Sequence, residues 1–277
     1  MSANNPELNN EEALKAENDF LKMKMMLERG AHFGMLSDAC DPKMENEFLN
    51  YIMEFEKQAE NPAYIKVYDK IGKPAHFRPV SEITDEEMEK AWDELSGYLY
   101  DHGVSIDAVS PNVSIRELYR FTIEELFQEE MTDISIPGMI SGFIYDEFHP
   151  DHAYENSRVA TDECISYILE KLPLQWTHNF RKENLRLNNQ TPLDIDEFTT
   201  IINRFKLAHD DLIINNIEKL DCSVSESESW VTGIYNVTAI SGKESFYLTG
   251  SWKVGFEKDA DLGYWYINAV DIGGISF

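Results

Sequence analysis

Phe246-Tyr247-Leu248-Thr249-Gly250-Ser251-Trp252-Lys253-Val254-Gly255-Phe256 sets Phe246, Leu248, Trp252, Val254 and Phe256 against Tyr247, Thr249, Ser251 and Lys253 in strict alternation. A period of two puts the two sets on opposite sides of an extended backbone, so the segment reads as a strand with one buried face. Working outward, Trp230 to Ile240 precedes it across the turn Ser241-Gly242-Lys243, and Tyr264 to Ile272 follows across Asp259-Ala260-Asp261-Leu262-Gly263. With Leu212 to Ile217 in front, four strands follow one another, and their economical topology is an antiparallel meander. Upstream the period becomes helical. Phe198, Ile201, Ile202 and Phe205 follow a start near Asp194, and Ile165, Ile168, Leu169 and Leu172 are ended by Pro173. Two helices on one face of a meander make an α+β arrangement.

That segment, together with Tyr264-Trp265-Tyr266-Ile267-Asn268-Ala269-Val270 and the helices before it, resembles the closing strands of the NTF2-like (cystatin-like α+β) superfamily over roughly residues 155 to 277. The resemblance implies a curved sheet wrapped around a helix with a conical cavity, which some members use for small ligands, others for catalysis and others for dimerisation. It carries no universal catalytic signature, so no active-site residue transfers to this chain. A small-molecule ligand in the cavity and a sheet-mediated homodimer are what it implies. Residues 1 to 154 carry no motif of a known family.

Those first residues read as mainly helical. Leu14, Leu21 and Met25 with Phe20 and Leu27, then Met44, Phe48, Tyr51, Ile52 and Phe55, recur at helical spacing, with a break from Gly30 to Pro42. A third helix begins at the capping box Thr84-x-x-Glu87 and carries Met88, Trp92, Leu95 and Leu99 until Gly103. A fourth begins at Ser114-x-x-Glu117 and carries Leu118, Tyr119, Ile123 and Leu126. Between helices two and three, Tyr64 to Tyr68 and His76 to Val80 suggest a small hairpin around Gly72-Lys73-Pro74, with Pro79 confining the second strand to an edge. The run Asp146 to His152 reads as a loop, and the domain boundary is placed just after it. The expected organisation is an acidic, mainly helical domain over 1–154 and an NTF2-like α+β domain over 155–277.

Charge excludes some functions. The chain has 51 Asp+Glu against 24 Lys+Arg, and residues 81 to 150 alone hold 17 acidic against 3 basic residues. Such a surface repels nucleic acid and anionic lipid and attracts cations or basic proteins. Cys40, Cys164 and Cys222 are odd in number and widely spaced, which suits neither a disulfide framework nor a CxxC metal knuckle and fits a reducing compartment. The opening MSANNPELNNEEALKAEND is polar and acidic, unlike a secretion signal, and no run reaches the length of a membrane span; a cytoplasmic protein is expected.

Candidate chemistry is sparse. Glu86, Glu87, Glu94, Glu125, Glu129 and Glu130 crowd helices three and four and their neighbourhood, and are the expected docking surface for a basic protein. His149, Asp151 and His152 are nitrogen and oxygen donors of the kind that hold Zn²⁺, but a Pro lies between the histidines, which are spaced neither i, i+4 nor i, i+2; no metal is expected. Asp259-x-Asp261-x-Gly263 lacks the glycine and glutamate that a calcium loop needs. A cavity in the second domain could draw on His209, Asp210, Asp211, Tyr235, Tyr247 or Asp271 for acid and base work. Phosphate-cradling, dinucleotide and nucleophile-elbow motifs are absent, so no cofactor is expected. Cys40 and Cys222 sit beside Asp41 and Asp221, which disfavours a thiolate. The reading that follows is a non-enzymatic interaction protein; the alternative is a small-ligand-binding or hydrolase/isomerase-like second domain.

Overall fold

Several helices in this chain start where a side chain takes up a free backbone amide. The computed structural model describes residues 6–34 and 41–277, which divide after Phe148 into two units. Cys40 lies outside the described residues. In the first unit α1 (Pro6–Arg29) packs on α2 (Pro42–Ala59), whose cap Asp41 accepts from the Lys43 amide at 2.9 Å. Leu21, Met25 and Leu49 form their shared core, with Ile52 and Met53 at its margin, while buried Asn18 donates to the Pro42 carbonyl at 2.8 Å and Glu45 at 3.0 Å. This corrects the expected apolar faces. Met44, Phe48, Tyr51 and Phe55 of α2, and Phe20 and Leu27 of α1, are exposed. Each helix carries two apolar stripes, and the contact between them buries the stripes centred on Leu49 and Leu21.

The rest of the first unit is β1 (Tyr64–Lys66), α3 (Val67–Lys70), α4 (Asp85–Asp101), β2 (Val104–Asp107), α5 (Ile115–Glu124), β3 (Glu130–Thr132), β4 (Ser141–Ile144) and α6 (Tyr145–Phe148). Both expected helix starts hold: Glu87 accepts from the Thr84 amide at 3.2 Å, and Ser114 accepts from the Glu117 amide at 3.2 Å. Met88, Leu95 and Leu99 of α4 and Tyr119 and Phe121 of α5 are buried against Val67, Ile71, Val104 and Leu126. The expected hairpin over 64–80 does not form. Tyr64–Lys66 pairs antiparallel with β3 instead, Val67 to Lys70 turns into a helix, and β2 and β4 make a second, parallel pair. Pairing partners 64 to 68 and 37 residues apart leave no local signal. The segment 146–152 is likewise not a plain loop, since Asp146 and Glu147 lie in α6 and His152 opens the next helix.

The second unit begins with one helical run: α7 (His152–Arg158), a π-helical turn over Val159–Ile165 and α8 (Ser166–Leu169). A hairpin of β5 (Leu185–Leu187) and β6 (Gln190–Leu193) follows, then α9 (Ile195–Leu207), β7 (Asp211–Val224), β8 (Glu228–Ser241), β9 (Glu244–Lys258) and β10 (Trp265–Ile272). The sheet order is β6-β5-β10-β9-β8-β7, antiparallel throughout except that β5 runs parallel to β10. The four-strand meander is as expected, and the unit is α+β; the short β5–β6 pair adds to it. On the inner face Val231, Tyr235 and Val237 of β8 and Trp252, Val254 and Phe256 of β9 meet Ile165, Ile168 and Leu169 of the first helical run and Phe198 and Ile202 of α9. Gly233 lies directly across from Trp252, and a Cβ on it would fall 2.2 Å from the Glu218 carbonyl oxygen and 2.3 Å from the indole. The alternation fails only at its start: Phe246 is exposed and edges the His209 ring instead. Lys206 of α9 is 2% exposed, and its Nζ donates to the carbonyls of Tyr167 and Leu172, satisfying the end of the helical run.

Candidate functional site

The acidic residues of the first unit fall into two sets. Glu87 takes up the Thr84 amide and lies 3.5 Å from Arg78, so its carboxyl is held below the usual range by those bonds and that charge. Glu94 lies 3.7 Å from Lys90, and Glu125 2.8 Å from Arg120. Arg120 also meets Glu117 at 2.6 Å and Glu124 at 3.3 Å. Glu86, Glu129 and Glu130 are exposed and have no cation partner among the described residues.

Asp151 caps α7 by accepting from the Tyr154 amide at 3.0 Å, and His152 lies edge-on to Trp265 with ring centres 5.6 Å apart. Among the described residues no group of three or more His, Cys, Asp or Glu side chains is placed to hold a metal ion. Cys164 is buried, which pushes its thiol pKa far up.

The acid and base candidates are scattered. His209 lines a 330 Å³ pocket with Arg204, Phe205, Ala208, Leu248 and Phe277. Burial, then the charge of Lys171, lowers its pKa, and its Nδ1 lies 3.3 Å from the Ser241 hydroxyl. Asp210 and Asp211 accept from the Gly242 and Leu212 amides at 2.5 and 2.8 Å. Tyr235 is buried, which raises its pKa, and donates to the Gly273 carbonyl at 2.8 Å. Tyr247 is exposed, and Asp271 is paired with Arg186 at 2.6 Å. No two of these share a reacting point.

A different group is brought together on the inner face of the sheet, at the end covered by α7. His152 and Asn156 stand one turn apart on that helix, which packs on β7 and β8. Ser229 of β8 faces Phe256, and Phe256 faces Ile267, two residues beyond Trp265 on the same strand. With strands about 4.8 Å apart and about 3.3 Å per residue, the backbones of Ser229 and Trp265 are roughly 12 Å apart along the sheet, and the His152 ring lies against Trp265. Asn156 is 1% and Ser229 0% exposed. Yet His152 Nδ1, Asn156 Nδ2, Ser229 Oγ and Trp265 Nε1 are all buried without a hydrogen-bond partner. Two of the four are pure donors, and the serine hydroxyl and the imidazole nitrogen can each donate. Burying such groups unpaired costs about 1–3 kcal/mol each. Sequence reasoning passed over Asn156, Ser229 and Trp265 because uncharged residues in a strand pattern carry no motif; the i, i+4 spacing of His152 and Asn156 was the available signal, once a helix is placed there.

No helix among the described residues is long and apolar enough to cross a membrane. No protein-family model and no curated protein matches the chain. Solved structures do resemble it in part. An NTF2-like superfamily protein from Salmonella enterica is 12% identical with a TM-score of 0.35, over 45% of this chain and 92% of that one. A DUF4783 family protein from Bacteroides uniformis is 12% identical with a TM-score of 0.28, over 42% of this chain and 97% of that one. A protein of unknown function from Mycobacterium tuberculosis is 11% identical with a TM-score of 0.33, over 48% and 76%.

Proposed function

We propose that this is a non-enzymatic binding protein whose second unit takes a small acceptor-rich molecule, a carboxylate or carbonyl compound, between α7 and the end of the sheet. The supporting observation is the set of four unpaired polar atoms of His152, Asn156, Ser229 and Trp265 on one inner face. A ligand oxygen that accepts from Asn156 and Trp265 recovers the desolvation cost of both. Catalysis is the weaker reading, because His209, Tyr235 and Asp271 are each engaged elsewhere.

The test is thermal stabilisation by a panel of small carboxylates, keto acids and sugars, run on the full chain and on Asn156→Leu. A binder at a hundredfold its dissociation constant stabilises by about 2.7 kcal/mol. Asn156→Leu should abolish that gain while leaving the free protein as stable as before or more so. Stabilisation that persists in Asn156→Leu, or a panel without a hit, would count against the reading.

A second reading has its own support. Glu86, Glu129 and Glu130 stand exposed without cation partners, and a basic protein surface would complement them. Reversing these three to Lys should abolish salt-sensitive capture of basic proteins.

A further inference from the structure

The α1–α2 pair turns apolar side chains outward. On α1, Ala16, Phe20, Met23 and Leu27 follow one another at steps of four, three and four, and on α2 Met44, Phe48, Tyr51 and Phe55 repeat the same steps. All eight are exposed, Leu27 by 80% and Met44 by 64%. Steps of four and three mark the seam along which one helix packs against another. Taking about 200 Å² for a large side chain, the exposed part of the α1 stripe with Met26 comes to roughly 480 Å² and that of the α2 stripe to roughly 400 Å², and each turns away from the seam of Leu21, Met25 and Leu49 that joins the helices. Each matches the largest apolar patch of an ordinary monomer, about 300–600 Å², the size at which such patches mark binding sites.

The rim says what would cover it. Glu12 and Asp19 lie along one flank of the α1 stripe and Glu17 and Glu28 along the other, exposed and without a salt bridge among the described residues, against Lys24 alone of the opposite sign. Beside the α2 stripe Glu47 and Glu54 are paired with Lys43 at 4.0 Å and Lys57 at 3.7 Å, so the unpaired acidic rim is that of α1. A second copy of this chain would bring like charge to that rim, since residues 6–60 hold 13 acidic against 6 basic residues. We infer that the outer stripes of this helix pair each bind an amphipathic helix of another protein, with apolar residues at the same four-three spacing and Lys or Arg on its flanks. The mode is a helix laid along an apolar stripe, with the charged rim setting its choice of partner. It is independent of the ligand reading, and involves a different surface from Glu86, Glu129 and Glu130.

The experiment titrates the full chain, at about 0.15 M salt, into a fluorescent three-heptad peptide with Leu along its seam and Lys on its flanks, and into the same peptide with Glu for Lys. The Lys peptide should bind at micromolar concentration and the Glu peptide not at all. Phe20→Ser with Phe48→Ser leaves net charge unchanged and should weaken binding at least about tenfold. Tyr247→Ser, on the exposed part of the sheet, should leave it within about threefold. Circular dichroism checks that each variant is folded, which it should be, because Phe20 and Phe48 are exposed. Binding that survives the serine variant is charge attraction alone and overturns the inference. So does failure of the Lys peptide to bind, or sedimentation showing that the face is already closed by a second copy that the peptide does not displace.

Discussion

Arg120 in the first unit gathers Glu117, Glu124 and Glu125, whereas in the second unit Asn156 and Ser229 are sealed from water with polar atoms unpaired. The first unit carries the conspicuous charge excess, and six of its carboxylates pair with Arg78, Lys90, Arg116 and Arg120. The second unit looks electrostatically plain and holds the unmet demand. Formal charge therefore does not mark where polar groups are left unpaired: surface ion pairs relax into water at little cost, while an uncharged donor under a helix has nowhere else to turn.

The largest expected effect tests whether these two regions are separate at all. Phe121 in the first core and Phe198 in the second are both 0% exposed, and truncation of either to Ala should cost about 3–5 kcal/mol. If each unit melts on its own, Phe121→Ala moves one calorimetric transition and Phe198→Ala the other. A single transition displaced by both would mean that the comparison divides one cooperative body.

A smaller pair of variants sharpens the contrast by sign. Arg120→Met leaves three carboxylates facing one another and should lower the stability of the first unit by about 2 kcal/mol. Asn156→Leu removes an unpaired buried amide and should raise that of the second by about 1 kcal/mol. Urea titration of the two variants decides it, and destabilisation by Asn156→Leu would show that the amide has a partner after all.

The meander is legible because Trp252, Val254 and Phe256 keep period two on a stretch of face that is buried. The caps at Ser114 and Asp194 were legible because an N-cap is a local contract between residues three apart. What escaped is non-local or ambiguous. β1 finds its partner in β3 from 66 residues away at the central pair, and α2 has two apolar stripes between which only the position of α1 chooses. At the candidate site the imidazole of His152 is visible in the sequence but its helix is not, while Ser229 and Trp265 have no chemistry until the sheet register and α7 place them.

The smallest effect is a titration, and it contrasts two groups within the second core. Burial lowers the pKa of Lys206 to about 8, against about 10.4 in the unfolded chain. Below pH 8 both states are protonated and nothing changes. Between pH 8 and about 10.4 the unfolded chain holds the extra proton, so stability rises with pH, by up to about 3 kcal/mol. The neutral amine still has two N–H groups for the carbonyls of Tyr167 and Leu172, so the contact survives deprotonation. Cys164 works the other way: its folded thiol stays protonated while the unfolded one ionises from about pH 8.5, and stability falls from there upward. The intact protein should therefore gain a little from pH 8 to 8.5 and then hold level to about pH 10, its two slopes cancelling. Lys206→Met should expose the falling slope, and Cys164→Ala the rising one. Urea midpoints at pH 7.5, 8.5 and 9.5 read all three, and a Lys206→Met profile parallel to that of the intact chain would mean that Lys206 remains charged throughout, held so by its two carbonyls.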